Sequence, residues 1–128
     1  MIAVDTSALV AIVRDEDPAK ICMAAIHGAD RLLISAGTVT EALIVAARRG
    51  HGPAMRELID RLDFEIIDVT LEGARAAANA YDQWGKGVHP AGLNFGDCFA
   101  YAIAKSNNCP LLFIGNDFAQ TDVTTAIA

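Results

Sequence analysis

Apolar residues fall along this chain in two kinds of run, and the two kinds alternate. The short kind is almost unbroken: Ile2-Ala3-Val4, Leu32-Leu33-Ile34, Phe64 to Val69 interrupted by Glu65 and Asp68, and Leu111-Leu112-Phe113-Ile114. Runs this short without polar alternation predict strands buried on both faces, as in a parallel sheet. The longer kind repeats at helical spacing over 8–13, 19–26, 38–50, 53–62, 71–84 and 94–104. Start signals agree. Ser7 is placed to cap the first helix, Asp17 with Pro18 to open the second, and Gly52-Pro53 to open the fourth. Ala36-Gly37 predicts a turn, after which Thr38 and Glu41 fit the S/T-x-x-E capping box of the third helix. Thr70, and Asn94 or its neighbour, are placed to start the last two helices. Residues 85–92 predict a long loop, and Thr121-Asp122-Val123 a short edge strand. Strand and helix in alternation give the α/β class. The expected architecture is a three-layer α/β/α sandwich around a central, mostly parallel sheet of four to five short strands. Residues 1–128 are expected to form a single domain.

Composition narrows the class. Hydrophobic residues make up 53% of the 128, yet no run approaches the roughly 18 to 20 apolar residues of a membrane span. The first strand lacks the basic lead of a secretory signal, so none is expected. Cys22, Cys98 and Cys109 are odd in number and without Cys-x-x-Cys spacing, which predicts buried thiols in a reducing, cytoplasmic setting. The net charge of −6 excludes attraction of nucleic acid over the whole surface. Nucleic-acid chemistry here needs a local basic patch or bound cations.

The candidate chemistry is carboxylate. Asp5 ends the first strand, Glu41 lies early in the third helix, Asp97 lies in the first turn of the last helix, and Asp117 follows the fourth strand. Each has a local explanation: a strand end, a capping box, a favourable helix dipole, a turn. A parallel sheet nevertheless brings all four to its carboxyl edge, where α/β proteins bind ligands. Grouped carboxylates take up protons unless a cation neutralises them. Oxygen-only donors suit Mg²⁺, with Mn²⁺ able to substitute, and such an ion suits phosphoester hydrolysis. His27, His51 and His89 lack ligand spacing. Gly85-x-Gly87 follows a helix rather than a strand, which argues against a phosphate-binding loop. Arg48-Arg49 mainly complement a helix end, with an RNA-phosphate role as the alternative, and Lys86 in the long loop is the slightly better-placed cation for RNA.

Four stretches resemble one family when taken in order. Val4-Asp5-Thr6-Ser7-Ala8-Leu9 resembles the opening motif of PIN-domain ribonucleases of the VapC toxin type. Glu41 falls where that family carries a helix-borne acid. Asn94-Phe95-Gly96-Asp97-Cys98-Phe99-Ala100-Tyr101-Ala102 resembles its third acidic motif. Leu112-Phe113-Ile114-Gly115-Asn116-Asp117-Phe118 resembles the closing one, except that Asn116 stands where members often carry a first of two acids. The resemblance implies Asp5 and Asp97 as metal ligands and Glu41 as a ligand or water-positioning group. It implies Asp117 as the fourth acid, with Asn116 beside it, and Thr6 orienting Asp5 through its hydroxyl. It further implies a toxin that cleaves RNA of the tRNA or rRNA class, a homodimer, and inhibition by a cognate antitoxin. Two alternatives stand beside it. A receiver-like phosphoacceptor domain shares the length and the strand-end acids, but usually has an acidic pair where this chain has Asp5-Thr6. A non-catalytic PIN fold would bind RNA or a partner without cutting.

Overall fold

In the computed structural model, which describes residues 1–127, β1 (Ile2–Val4), β2 (Leu32–Ser35), β3 (Glu65–Ile67) and β4 (Leu111–Leu112) form one parallel sheet. The strand order is β3-β2-β1-β4. The helices are α1 (Thr6–Val13), α2 (Ala19–Gly28), α3 (Ala36–Arg48), α4 (Gly52–Arg61), α5 (Leu71–Trp84) and α6 (Phe95–Ser106), with a short 3₁₀ turn at Phe118–Gln120. Alternate strand residues enter two separate cores. Ala3, Leu33 and Leu111 pack with Ala77, Ala80 and Tyr101 of α5 and α6. Ile2, Val4, Ile34 and Leu112 pack with residues of α1 to α4 such as Leu9, Cys22 and Met55. Both faces of the central strands are therefore covered, which is why their sequences show no polar alternation. All three cysteines are free and buried.

Several boundaries differ from the sequence expectation. Asp5, not Ser7, caps α1: its carboxylate accepts the Ser7 N–H, and the helix starts at Thr6. Pro18, rather than Asp17, precedes α2, with no side-chain cap. There is no turn at Ala36-Gly37. Ser35 caps α3 by accepting the Gly37 N–H at 3.1 Å, so β2 passes straight into the helix. Thr38 is then fully buried inside the helix and Glu41 lies in its second turn, so the expected capping box does not form. Gly37 permits this close passage, because a Cβ there would stand 2.8 Å from the Phe99 ring of α6. The capping box occurs instead on α6, where Asn94 accepts the Asp97 N–H and Asp97 accepts the Asn94 N–H.

The long loop after α5 is tied down. Lys86 donates its N–H to Leu93, Val88 to Gly85, and His89 meets the Trp84 ring edge-on at 4.7 Å. The expected edge strand at Thr121-Asp122-Val123 does not form; the tail meets the outer edge of β4 three residues later, through a single bridge between Leu111 and Thr125. There the Leu111 N–H binds the Thr124 carbonyl at 2.8 Å and the Ala126 N–H binds the Leu111 carbonyl at 2.9 Å.

Candidate active site

At the carboxyl ends of β1 and β2, where α1, α3 and α6 meet, Asp5, Glu41 and Asp97 line a single cleft of about 310 Å³. Each acid arrives there by a different local route. Asp5 leaves β1 and is locked by Ser7, whose N–H and hydroxyl both donate to Asp5 Oδ2, at 3.0 and 2.7 Å. The Ser7 hydroxyl in turn accepts the Ile114 N–H at 3.0 Å, so the segment after β4 steadies the acid after β1. Glu41 is held through Oε1, which accepts the Thr6 hydroxyl at 2.6 Å. Asp97 is held through Oδ2 by the Asn94 N–H at 3.0 Å. Its own capping role fixes its rotamer.

A pattern follows from these bonds. Each carboxylate is anchored through one oxygen, while Asp5 Oδ1, Glu41 Oε2 and Asp97 Oδ1 take no hydrogen bond among the described residues. Asp5 Oδ1 is also fully buried and without a partner. A buried carboxylate oxygen in that condition is disfavoured unless it is protonated or meets a cation. Burial pushes the Asp5 carboxyl up to about 7, against the Ser7 hydrogen bonds, and the charges of Asp97 and Glu41 push the same way. Asp97 is pushed up to about 6, first by burial and then by Glu41 and Asp117, against its bond from Asn94. As the side chains stand, among the described residues no three acid, histidine or cysteine groups are already drawn into a closed ligand cluster. The anchoring bonds explain this, since each carboxylate is held toward a protein donor of its own.

The placement of the remaining predicted residues is uneven. Asp117 is exposed on the turn after β4 and does not line the cleft, although its charge reaches Asp97. Asn116 is exposed beside it, and its carbonyl accepts from Gln120 at 3.4 Å. Thr6 serves Glu41, not Asp5, because the helix start turns its side chain toward α3. Two contributors went unread in the sequence. Ser7 is the clamp on Asp5. Gly96 makes room for Glu41: a Cβ at Gly96 would lie 2.0 Å from Glu41 Oε2. The signal available for Gly96 was its place next to Asp97 in the motif, but the reason for it lies on another helix. Among the cations, Arg49 lines the acid cleft, whereas Lys86 lines a separate apolar groove of about 620 Å³ between α5 and α6.

Comparison with known proteins gives a consistent result. Residues 2–123 match the PIN domain family. The chain is 49% identical over 125 residues to ribonuclease VapC36 of Mycobacterium tuberculosis, which covers 94% of this chain and 89% of that protein. It is 43% identical over 123 residues to ribonuclease VapC of Mycolicibacterium smegmatis, covering 94% of this chain and 95% of that protein. Among solved structures, the fold matches Mycobacterium tuberculosis VapC20, a sarcin-ricin loop cleaving toxin, with TM-score 0.80 at 15% identity over 97% of both chains. It matches a toxin–antitoxin complex from Klebsiella pneumoniae with TM-score 0.74 at 20% identity over 98% of both chains. At such identities the solved structures speak to the fold, while the two sequence relatives speak to descent. The chain belongs to the PIN-domain family and, within it, to the VapC ribonucleases.

Proposed function

We propose that this protein is the toxin of a toxin–antitoxin pair and hydrolyses RNA phosphodiester bonds with a hard divalent cation, Mg²⁺ or Mn²⁺. The observation that carries the reading is the set of anchored carboxylates, each with one unbonded oxygen, around the buried and partnerless Asp5 Oδ1. The residues fit such an ion in kind: the donors are all oxygen, and burial and mutual repulsion make the acids favour a positive partner. Asp5 and Asp97 would hold it, with Glu41 completing the set. When bound, it polarises the phosphate and lowers the pKa of a bound water. The protein's own groups supply order. Ser7 keeps Asp5 in place, and Thr6 holds Glu41 through Oε1, leaving Oε2 to meet the cation or to position the attacking water. Asp117 and Asn116 are the outer members, where Asp117 contributes charge at the cleft mouth.

The same family membership removes the support for a receiver-like phosphoacceptor. A non-catalytic PIN fold would bind RNA and leave it intact. The Klebsiella toxin–antitoxin complex, which shares this fold, supports a cognate antitoxin as partner. We assign the substrate to structured RNA of the tRNA or rRNA class and the setting to the cytoplasm, where buried free thiols remain reduced. No helix among the described residues is long and apolar enough to cross a membrane. The α5–α6 groove, beside which Phe95 is 76% exposed, supports a homodimer. Sedimentation at micromolar concentration tests it, and a persistent monomer counts against it.

The direct test of the reaction is cleavage of tRNA and rRNA in Mg²⁺ against EDTA, with the melting temperature followed in parallel. Mg²⁺ is expected to permit cleavage and to raise the melting temperature. Full cleavage in EDTA would remove the cation from the reading, and intact RNA in both conditions would remove the reaction.

A further inference from the structure

The acid cleft does not end at its acids. Glu41 and Val45 on α3, and Arg49 at its C-cap, are spaced four residues apart, and all three line the cleft. Arg49 and Val10 also line the adjoining crevice between α1 and α4, together with Arg14 and His51. Val10 and Arg49 are therefore shared between the acid cleft and the closed seam that holds Arg14 and His51. Arg49 is exposed and, among the described residues, makes no ion pair. Arg14 is 40% exposed and its only ion pair among those residues is a 4.0 Å approach to Glu16.

We infer that this strip is the RNA-backbone track of the site, with Arg49 as its principal phosphate contact; the inference rests on the ribonuclease reading above. On a chain of net charge −6, a polyanion entering a cleft lined by Asp5, Glu16, Glu41 and Asp97 is repelled unless fixed cations flank the reacting bond. Arg49, at the C-cap of α3, lies eight positions after Glu41, about 12 Å along the helix axis. That distance assigns Arg49 to a flanking phosphate and not to the scissile one. A guanidinium suits the task because its planar fork pairs with two phosphate oxygens. An acidic antitoxin segment would also be attracted to the strip. RNA is favoured because the strip is continuous with the place where a phosphodiester would be cut. Arg48, the last residue of α3 and the neighbour of Arg49, lines neither the cleft nor the seam, so it separates a phosphate contact from general charge at a helix end.

The test is binding of a fluorescein-labelled single-stranded RNA of mixed sequence over a KCl series, in an Asp97→Asn background that leaves the RNA intact. Arg49→Gln is expected to weaken binding about fivefold at low salt and to flatten the log K against log[KCl] slope by about one. Arg14→Gln added to it should flatten the slope further. Arg49→Lys should retain the slope, and Arg48→Gln should match the parent. In the active chain, Arg49→Gln should raise KM and leave kcat unchanged. An unchanged slope, equal effects of Arg48→Gln and Arg49→Gln, or an effect confined to antitoxin binding would overturn the track. The binding arm reads the strip whether or not the chain cleaves, so absence of cleavage strikes the ribonuclease reading alone.

Discussion

Asp5 and Asp117 follow neighbouring strands of one parallel sheet, yet they are chemically unlike. Asp5 is 3% exposed, clamped by two bonds from Ser7, and carries an oxygen with no partner. Asp117 is exposed, precedes the 3₁₀ turn without a side-chain cap, and stands outside the cleft lining. The same residue type at the same edge thus gives one group whose charge is held under strain and another that is simply solvated. The difference comes from the step after each strand. β1 turns directly into α1, which buries Asp5 at a helix start. β4 is followed by Phe113 to Asn116, enough chain to carry Asp117 to the surface. Being at the ligand-binding edge is necessary for an acid to act here, but burial is what tunes it.

The strongest way to break this comparison is to neutralise the two acids separately. Asp5→Asn should lower RNA cleavage by about three orders of magnitude. It should leave the fold intact, because Asn is as good an N-cap as Asp. Asp117→Asn should cost less than about tenfold, since solvent screens its charge. Equal losses in single-turnover assays of the two variants would erase the distinction.

Gly96→Ala sharpens it from the neighbouring helix. The new methyl would meet the end of the Glu41 side chain, which can swing away, so the melting temperature should move little. Cleavage should nevertheless fall by about a hundredfold, as expected when a catalytic group is displaced by an ångström. An unaltered rate would show that the position of Glu41 is not critical.

The smallest expected effect is on stability against pH without divalent ions. The folded carboxyls of Asp5 and Asp97 are raised to about 7 and about 6, above the ordinary 3.8. Between those limits the folded state keeps protons that the unfolded state has released, so stability falls as pH rises from about 4 to about 7. The melting temperature should drop through that window from these groups. Asp5→Asn should flatten the drop and melt higher than the parent at pH 8. Mg²⁺ should offset it most at the alkaline end, because binding needs both acids ionised. Scanning calorimetry across the range checks all three, and a parent that gains stability from pH 5 to 7 without metal contradicts the burial of charge at Asp5.

The legibility of the site follows how local each cause is. Unbroken runs such as Ile2-Ala3-Val4 and Leu32-Leu33-Ile34 announce strands covered on both faces, because a half-exposed strand would have to alternate. Asn94 and the apolar spacing after it announce the last helix start, while its capping box with Asp97 came only from the structure. With helices between all successive strands, the topology rules then bring the acids to one edge, and so Asp5, Glu41 and Asp97 could be grouped, with Asp117, from the chain alone. Thr38-Glu41 misled for the same reason: the box is a local pattern, and Ser35 won the helix start through a bond to Gly37 that the packing of Phe99 against α3 makes possible.

The amino-acid sequence by itself determined the class of sheet, the helix periods, the acids and the edge they share, since these depend on burial patterns and on contacts a few residues apart. Only the tertiary structure decided which acid is buried, that Ser7 joins Asp5 to Ile114 and Thr6 serves Glu41, that Gly96 yields its space to Glu41, and that Arg49 rather than Lys86 borders the cleft. Those outcomes depend on distances between elements far apart in the chain, and the approach of α3 to α1 and α6 sets them.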